Sequence, residues 1–181
     1  MRSRRLKNNT ILILCLVLSC FLCSCGGNMT EESVKTELER LLPLSYEMNE
    51  IFWGEGLPYD EPITKVRYVP VKAECGFRST EEILKKAGEV FSAEYVEDIK
   101  SAVFTDTDDI DPRYMDVDGV LKVDVSNKGY EIGSRIDIST AKIKKQNRNT
   151  VIVSAKYEDG EDVEIVLVLQ DGKWYLDSAT Y

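Results

Sequence analysis

The sequence predicts an α+β domain in which N-terminal helices pack on a long, curved antiparallel sheet. Three observations carry that expectation. Apolar residues recur at three- and four-residue spacing up to about residue 103, they switch to alternation from Arg113 onward, and short Gly- or Asn-containing turns join the alternating runs as hairpins. Ahead of this domain stands a segment of another kind.

Residues 1–7 carry Arg2, Arg4, Arg5 and Lys7 with no acid, and Ile11–Leu22 is apolar apart from Cys15, Ser19 and Cys20. That is the charged head and short apolar run of an export signal. A dozen such residues make roughly 18 Å of helix, short of the ~30 Å hydrocarbon core, so the segment reads as an address and not as a span. The run closes on Leu22-Cys23-Ser24-Cys25. This stretch resembles the bacterial lipoprotein box, with Leu three positions before an obligatory Cys and a small residue just before it. The resemblance implies cleavage after Ser24 and thioether lipidation of Cys25. Val17-Leu18-Ser19-Cys20 is a second match, followed by the bulky Phe21. The alternative is an ordinary secretory signal cut near Ser24 or Gly26, which would release a soluble protein.

Three parts follow: a signal over residues 1–24, a lipidated Cys25 with a short linker over 25–29, and a single domain over 30–181. Loss of residues 1–24 leaves 157 of 181 residues and removes four basic side chains and no acid. Nineteen basic residues then face 32 acidic ones, a net charge of −13. Such a surface disfavours nucleic acid and an electrostatic hold on anionic lipid, so the anchor does the attaching. The expected place is the outer face of the cytoplasmic membrane. Three of the five cysteines leave with the signal and Cys25 is lipidated, so Cys75 stands without a disulfide partner. It reads as a small buried apolar residue, inert to thiol reagents.

In the domain, Thr30 followed by Glu31 and Glu32 reads as a helix N-cap with acids in the first turn. Val34, Leu38, Leu41 and Leu42 form one apolar stripe. Pro43 interrupts it, and the spacing restarts at Leu44, Met48, Ile51 and Phe52, which predicts a kinked or two-part helix. Residues 53–62 are too rich in Gly and Pro for a regular element yet hold Trp53 and Tyr59. Such a loop either plugs the edge of the core or presents a binding surface. Thr64–Val71 reads as a short strand, placed at a sheet edge by Pro70. Ser79 and Glu82 match a capping box for a second helix with Ile83, Leu84, Ala87, Val90 and Phe91 on its apolar face, and Ser92 caps a third.

Thr105–Asp118 is the most acidic stretch and invites a calcium reading. Registers starting at Asp106 and at Tyr114 both put wrong residues at the required ligand and glycine positions of an EF-hand loop. A solvated loop is the default, with a less regular calcium site as the alternative. Beyond it, Arg113–Val117 and Val120–Val125 flank Asp118-Gly119, a strong hairpin signal. Strands are expected at Ile136–Lys145, Thr150–Tyr157, Asp162–Gln170 and Lys173–Thr180. Ile165–Leu169 is apolar at every position and is expected to be covered on both faces.

In element order and in its closing Asp171-Gly172-Lys173-Trp174-Tyr175-Leu176 strand, the chain resembles the cone-shaped fold of nuclear transport factor 2 and the polyketide-cyclase-like proteins. Trp53–Tyr59 and Leu176–Tyr181 also look like surface lipoproteins of Gram-positive bacteria, and a more distant likeness is to secreted inhibitors of cell-wall endopeptidases. The resemblance implies a cone whose mouth takes a ligand.

The catalytic inventory is thin. There is no histidine, which removes Ser-His-Asp and Cys-His nucleophiles and His-rich metal sites, and no phosphate-binding glycine pattern occurs. No catalytic residue, cofactor or metal is assigned. The expected function is a non-catalytic binding domain that takes an envelope protein, a wall fragment or a small ligand. The alternatives are a histidine-free lyase, isomerase or hydrolase using buried carboxylates, or an inhibitor of wall hydrolases. Trp53, Tyr59, Arg113 and Tyr114 are the candidates to line the mouth, since aromatics and Arg supply most binding energy at such surfaces.

Overall fold

The computed structural model describes residues 28–62, 65–106 and 111–181. The signal, Cys25 and part of the acidic loop lie outside the described residues. Helix α1 (Glu31–Phe52) opens on a reciprocal cap: Ser33 N donates to the Thr30 hydroxyl at 3.1 Å, and Thr30 N donates to the Ser33 hydroxyl at 2.8 Å. Its buried face runs from Val34 through Leu38, Leu41, Leu42 and Met48 to Phe52 without a break. The expected interruption at Pro43 does not occur. Pro43 and Glu39 are exposed, so the one carbonyl deprived of its N–H partner lies on the solvent side while the apolar stripe opposite holds the helix together.

The strands form two antiparallel sheets where one long sheet was expected. The first has the order β1-β3-β2, with β1 at Tyr68–Pro70, β2 at Tyr114–Val117 and β3 at Val120–Asp124. Asp118 and Gly119 both have positive φ, 54° and 76°, as a two-residue hairpin turn of the right twist requires. β1 is an edge strand, as Pro70 implied, but is shorter than expected. β3 has partners on both sides, which leaves it no free edge for the strands that follow. The outer side of β2 faces helix α2 (Thr80–Ala87) through one side chain. Asp116 accepts from the N–H and hydroxyl of Thr80, at the start of that helix. Ser79 caps α2 as predicted, but Glu82 reaches back to Arg78 N and not to Ser79. Ser92 caps helix α3 (Ala93–Val103).

The second sheet is a four-stranded meander of β4 (Ile136–Gln146), β5 (Thr150–Tyr157), β6 (Asp162–Gln170) and β7 (Lys173–Leu176). Its inner face, with Val151, Val153, Ala155, Ile165, Leu167, Trp174 and Leu176, is buried. The outer face of β6 is not fully covered, for Val166 and Val168 are only half-buried. α1 crosses the inner side. Lys35 Nζ donates to Ser139 O at 3.0 Å, Arg40 Nη2 to Trp174 O at 2.7 Å, and Ile136 N to the Tyr46 hydroxyl at 2.9 Å. Residues 90–92 pair with Leu176 on the far edge, and the C-terminal Thr180 joins Ser45 and Asn49 in a buried polar group beneath α1. The packing is therefore α+β, with one core cluster running from Met29 to Leu176.

Candidate functional site

α1 ends at Phe52, and the next seven residues form a strap from its last turn to the small sheet. Trp53 N and Gly54 N both donate to Asn49 O, at 2.8 and 3.2 Å, and Gly56 N donates to Glu50 O at 2.9 Å. Tyr130 N holds Trp53 O at 2.6 Å, Lys72 N holds Pro58 O at 2.8 Å, and Tyr59 bridges to Val71. The Gly- and Pro-rich sequence that forbids a regular element thus makes a strap whose backbone groups are satisfied one by one.

Arg113 and Tyr114 stand beneath it. Tyr114 is 0% exposed; its hydroxyl donates to Ile51 O at 2.8 Å and accepts from Leu57 N at 2.9 Å. Burial pushes that hydroxyl's pKa up against the lowering influence of Arg113, so it stays protonated and able to donate. Arg113, 4% exposed, donates through Nη2 to Gly54 O at 2.5 Å, and its Nε is buried without a partner. Gly56, at φ 84°, lies so near that a Cβ would come within 2.7 Å of Arg113 Nη2 and 2.8 Å of the Tyr114 hydroxyl. The expectation that Arg113 and Tyr114 line an open mouth is therefore corrected: both are spent on the underside of the strap. Arg follows a loop and Tyr opens a strand, so their sequence positions carry no sign of which way they face.

Trp53 and Tyr59 remain at the surface, half-buried. Trp53 packs between Phe52 and Tyr181 with ring centroids 6.3 and 6.1 Å away, and its indole N–H is buried without a partner. Leu57 is the residue that plugs the core, at 4% exposure. Cys75 is half-buried in a short helical turn, more open than expected, with Sγ 3.5 Å from Phe77 O.

Sequence reasoning missed a groove of about 500 Å³ beside the strap, lined by Pro43, Tyr46, Glu47, Glu50, Ile132 and Arg135. The Arg135 guanidinium lies 5.6 Å over the Tyr46 ring. Burial raises the Tyr46 pKa, offset in part by the Ile136 hydrogen bond and Arg135. Glu50 joins groove and strap, accepting from Glu55 N at 3.4 Å. Tyr46, Glu47 and Glu50 sit on the polar side of α1 at i, i+1 and i+4, a pattern that any solvated helix face would show.

Elsewhere Asp124, 2% exposed, is held by Arg67 and Ser126. Its burial favours the neutral acid, but those hydrogen bonds outweigh it and keep the pKa low. Asp159, bonded by Ser134, also shifts down. Asp111 pairs with Arg67, while residues 107–110 lie outside the described residues. Among the described residues no group of three or more Cys, Asp or Glu is arranged to hold a metal, and no helix is long and apolar enough to cross a membrane.

Compared with known proteins, the chain matches no family model and no curated sequence.

Proposed function

We propose that this chain is an extracytoplasmic lipoprotein, anchored through Cys25, whose domain binds a peptide-like segment of an envelope partner in the groove beside the strap. One observation carries the reading. Tyr46, topped by the Arg135 cation and flanked by the Glu47 and Glu50 carboxylates, gives a concave site an aromatic wall and charges of both signs, next to a strap already fixed by its own hydrogen bonds. Such a site suits a ligand that also carries both signs, as a peptide does, and its rigidity lowers the entropic cost of binding. The downward shifts at Asp124 and Asp159 suit permanently ionised structural groups and not a general acid. The element order, with α1 laid on an antiparallel meander, supports reading the fold as a variant of the nuclear transport factor 2-like cone, the groove taking the place of its mouth.

The test is capture on intact cells by the full chain with a photoreactive group at Tyr130, which is 79% exposed and two residues before Ile132 of the groove's lining. A discrete crosslinked partner is expected, weakened by Arg135→Glu with little change in melting temperature. Capture undiminished by Arg135→Glu would reject the groove. Separately, Cys25→Ala should abolish incorporation of labelled palmitate; loss on Cys20→Ala instead would move the anchor.

A further inference from the structure

The two ends of the four-stranded sheet carry opposite charge. In a meander the β4–β5 turn and the β5–β6 turn lie at opposite ends, about 26 Å apart along the eight residues of β5. Around the β5–β6 turn stand Glu158, Asp159, Glu161 and Asp162, all exposed. Near the β4–β5 turn stand Lys142, Lys145 and Arg148, also exposed and without an ion-pair partner among the described residues. Lys142 pairs across with Ser154 and Lys145 with Ile152, positions on the outer face of the sheet, so both lysines stand on the side away from α1. Lys144 is paired with Glu164 and is not counted. Acids also stand at this end: Glu31, Glu32, Asp171 and, beside Asp171, Glu97, which Lys100 pairs; Lys173 lies beside Asp171 in the next turn.

The chain passes into the domain at this same basic end. Gln146, the last residue of β4, donates from Nε2 to Met29 O at 3.2 Å. Between Cys25 and Met29 lie Gly26, Gly27 and Asn28, a reach of at most about 14 Å. A lipid on Cys25 therefore holds Gln146 close to the bilayer, with Lys145 and Arg148 within two residues of it.

We infer that the Lys142–Arg148 edge of β4 lies on anionic phospholipid headgroups, orienting the anchored domain with its acidic end outward. The inference rests on lipidation of Cys25. The domain as a whole, at net −13, is repelled by such a surface. Repulsion acts on the acidic end and attraction on the basic end within a Debye length of about 8 Å, so the tether and the field favour the same orientation. This refines the expectation that net charge disfavours an electrostatic hold on anionic lipid: the total is acidic, but the exposed Lys142–Arg148 edge near the tether is basic.

The test uses the full processed protein reconstituted in vesicles of phosphatidylcholine alone or of equal parts phosphatidylcholine and phosphatidylglycerol. Amine-reactive labelling is read by mass spectrometry. Lys142 and Lys145 should label several-fold more slowly on the anionic vesicles at low salt. That protection should vanish at high salt and shrink in the variant Arg148→Glu, which keeps both reporter lysines, while Lys128, in the loop bonded to the far end of α1, labels alike on both. The variant changes only an exposed side chain, so an unchanged melting temperature checks its fold. Equal labelling on both vesicle types, with lipid present on Cys25 by intact mass, overturns this inference alone. Absence of lipid from Cys25 overturns the anchor and the orientation with it.

Discussion

The two sheets of this domain are held by different means. In the four-stranded sheet, neighbouring strands are neighbours in sequence, the inner face is apolar, and its side-chain ion pairs, Lys144–Glu164 and Lys156–Asp162, lie in solvent. In the three-stranded sheet, β1 and β3 come from distant parts of the chain, and buried polar groups do the fastening: Tyr114 and Arg113 under the strap, and Asp124 at 2% exposure against Arg67. An apolar face tolerates any register that keeps alternation, whereas a buried hydroxyl or carboxylate is satisfied in one geometry only. The small sheet therefore carries specificity, and with it the placement of the strap beside the groove. The large sheet carries bulk stability.

The largest effect should come from breaking the large sheet's core. Leu167 is 0% exposed, and Leu167→Ala removes apolar contacts and leaves a cavity, a loss of about 2–5 kcal/mol. Urea unfolding should show one cooperative transition at a lower midpoint with the strap still protected until global unfolding. Early exposure of the strap in this variant would contradict the division of roles.

Tyr114→Phe tests the other side. It deletes one oxygen and leaves Leu57 N and Ile51 O without their partner, which costs about 1–3 kcal/mol for each buried group left unsatisfied. Here hydrogen exchange at Leu57 should accelerate far more than exchange in β5 or β6. Uniform acceleration across both sheets would mean that the hydroxyl serves global stability and not the strap.

What was legible in the sequence divides along the same line. Most of the meander could be read, because alternation and turn residues are local signals: β5 and β6 begin and end where the pattern does, but β7 stops at Leu176 and not at the expected Thr180. Ser92 and Thr30 announced their helices for the same reason. The separation into two sheets was not legible, since it depends on β3 being flanked by β1 from 50 residues earlier and by β2, which uses up both its edges. Pro43 does not split the helix in two because helix-interior proline removes one hydrogen bond, and here nine buried residues of α1 outweigh it. Arg113 and Tyr114, expected to line a binding mouth, are instead buried beneath the strap. The groove was invisible because Arg135 reaches Tyr46 across 88 intervening positions, which no pattern along the chain encodes.

A smaller effect should follow from pH. The Asp124 carboxyl is held below its ordinary value of 3.8, so its folded form releases its proton more readily than the unfolded chain does. The stability it contributes is thus fully present above about pH 4 and lost as pH falls through the lowered folded value. Asp124→Asn should lower stability at neutral pH, and the gap between variant and parent should close on acidification. A gap that persists unchanged to the lowest pH at which both fold would mean that the carboxylate's charge is irrelevant and only its shape matters.

The smallest effect belongs to one of the large sheet's exposed ion pairs, Lys144–Glu164, and it sharpens the comparison most. Lys144 Nζ lies 2.5 Å from Glu164 Oε1, a shorter contact than the 2.9 Å between Arg67 Nη2 and Asp124 Oδ2. By distance alone the exposed pair would be the stronger. Both of its partners, however, keep most of their hydration, and two long side chains must be ordered to bring them together, so exposed pairs are worth about 0–1 kcal/mol. Asp124 has already given up its water and accepts from Arg67 and twice from Ser126, so removing Arg67 leaves a buried charge short of partners. Double-mutant cycles on Lys144–Glu164 and Arg67–Asp124 should therefore rank opposite to their distances. The coupling of the first should be near zero and fade further in high salt; that of the second should be larger and resist salt, because screening is weak where solvent is excluded. Equal couplings, or a Lys144–Glu164 coupling that survives salt, would show that polar fastening is shared by the two sheets and not confined to the small one.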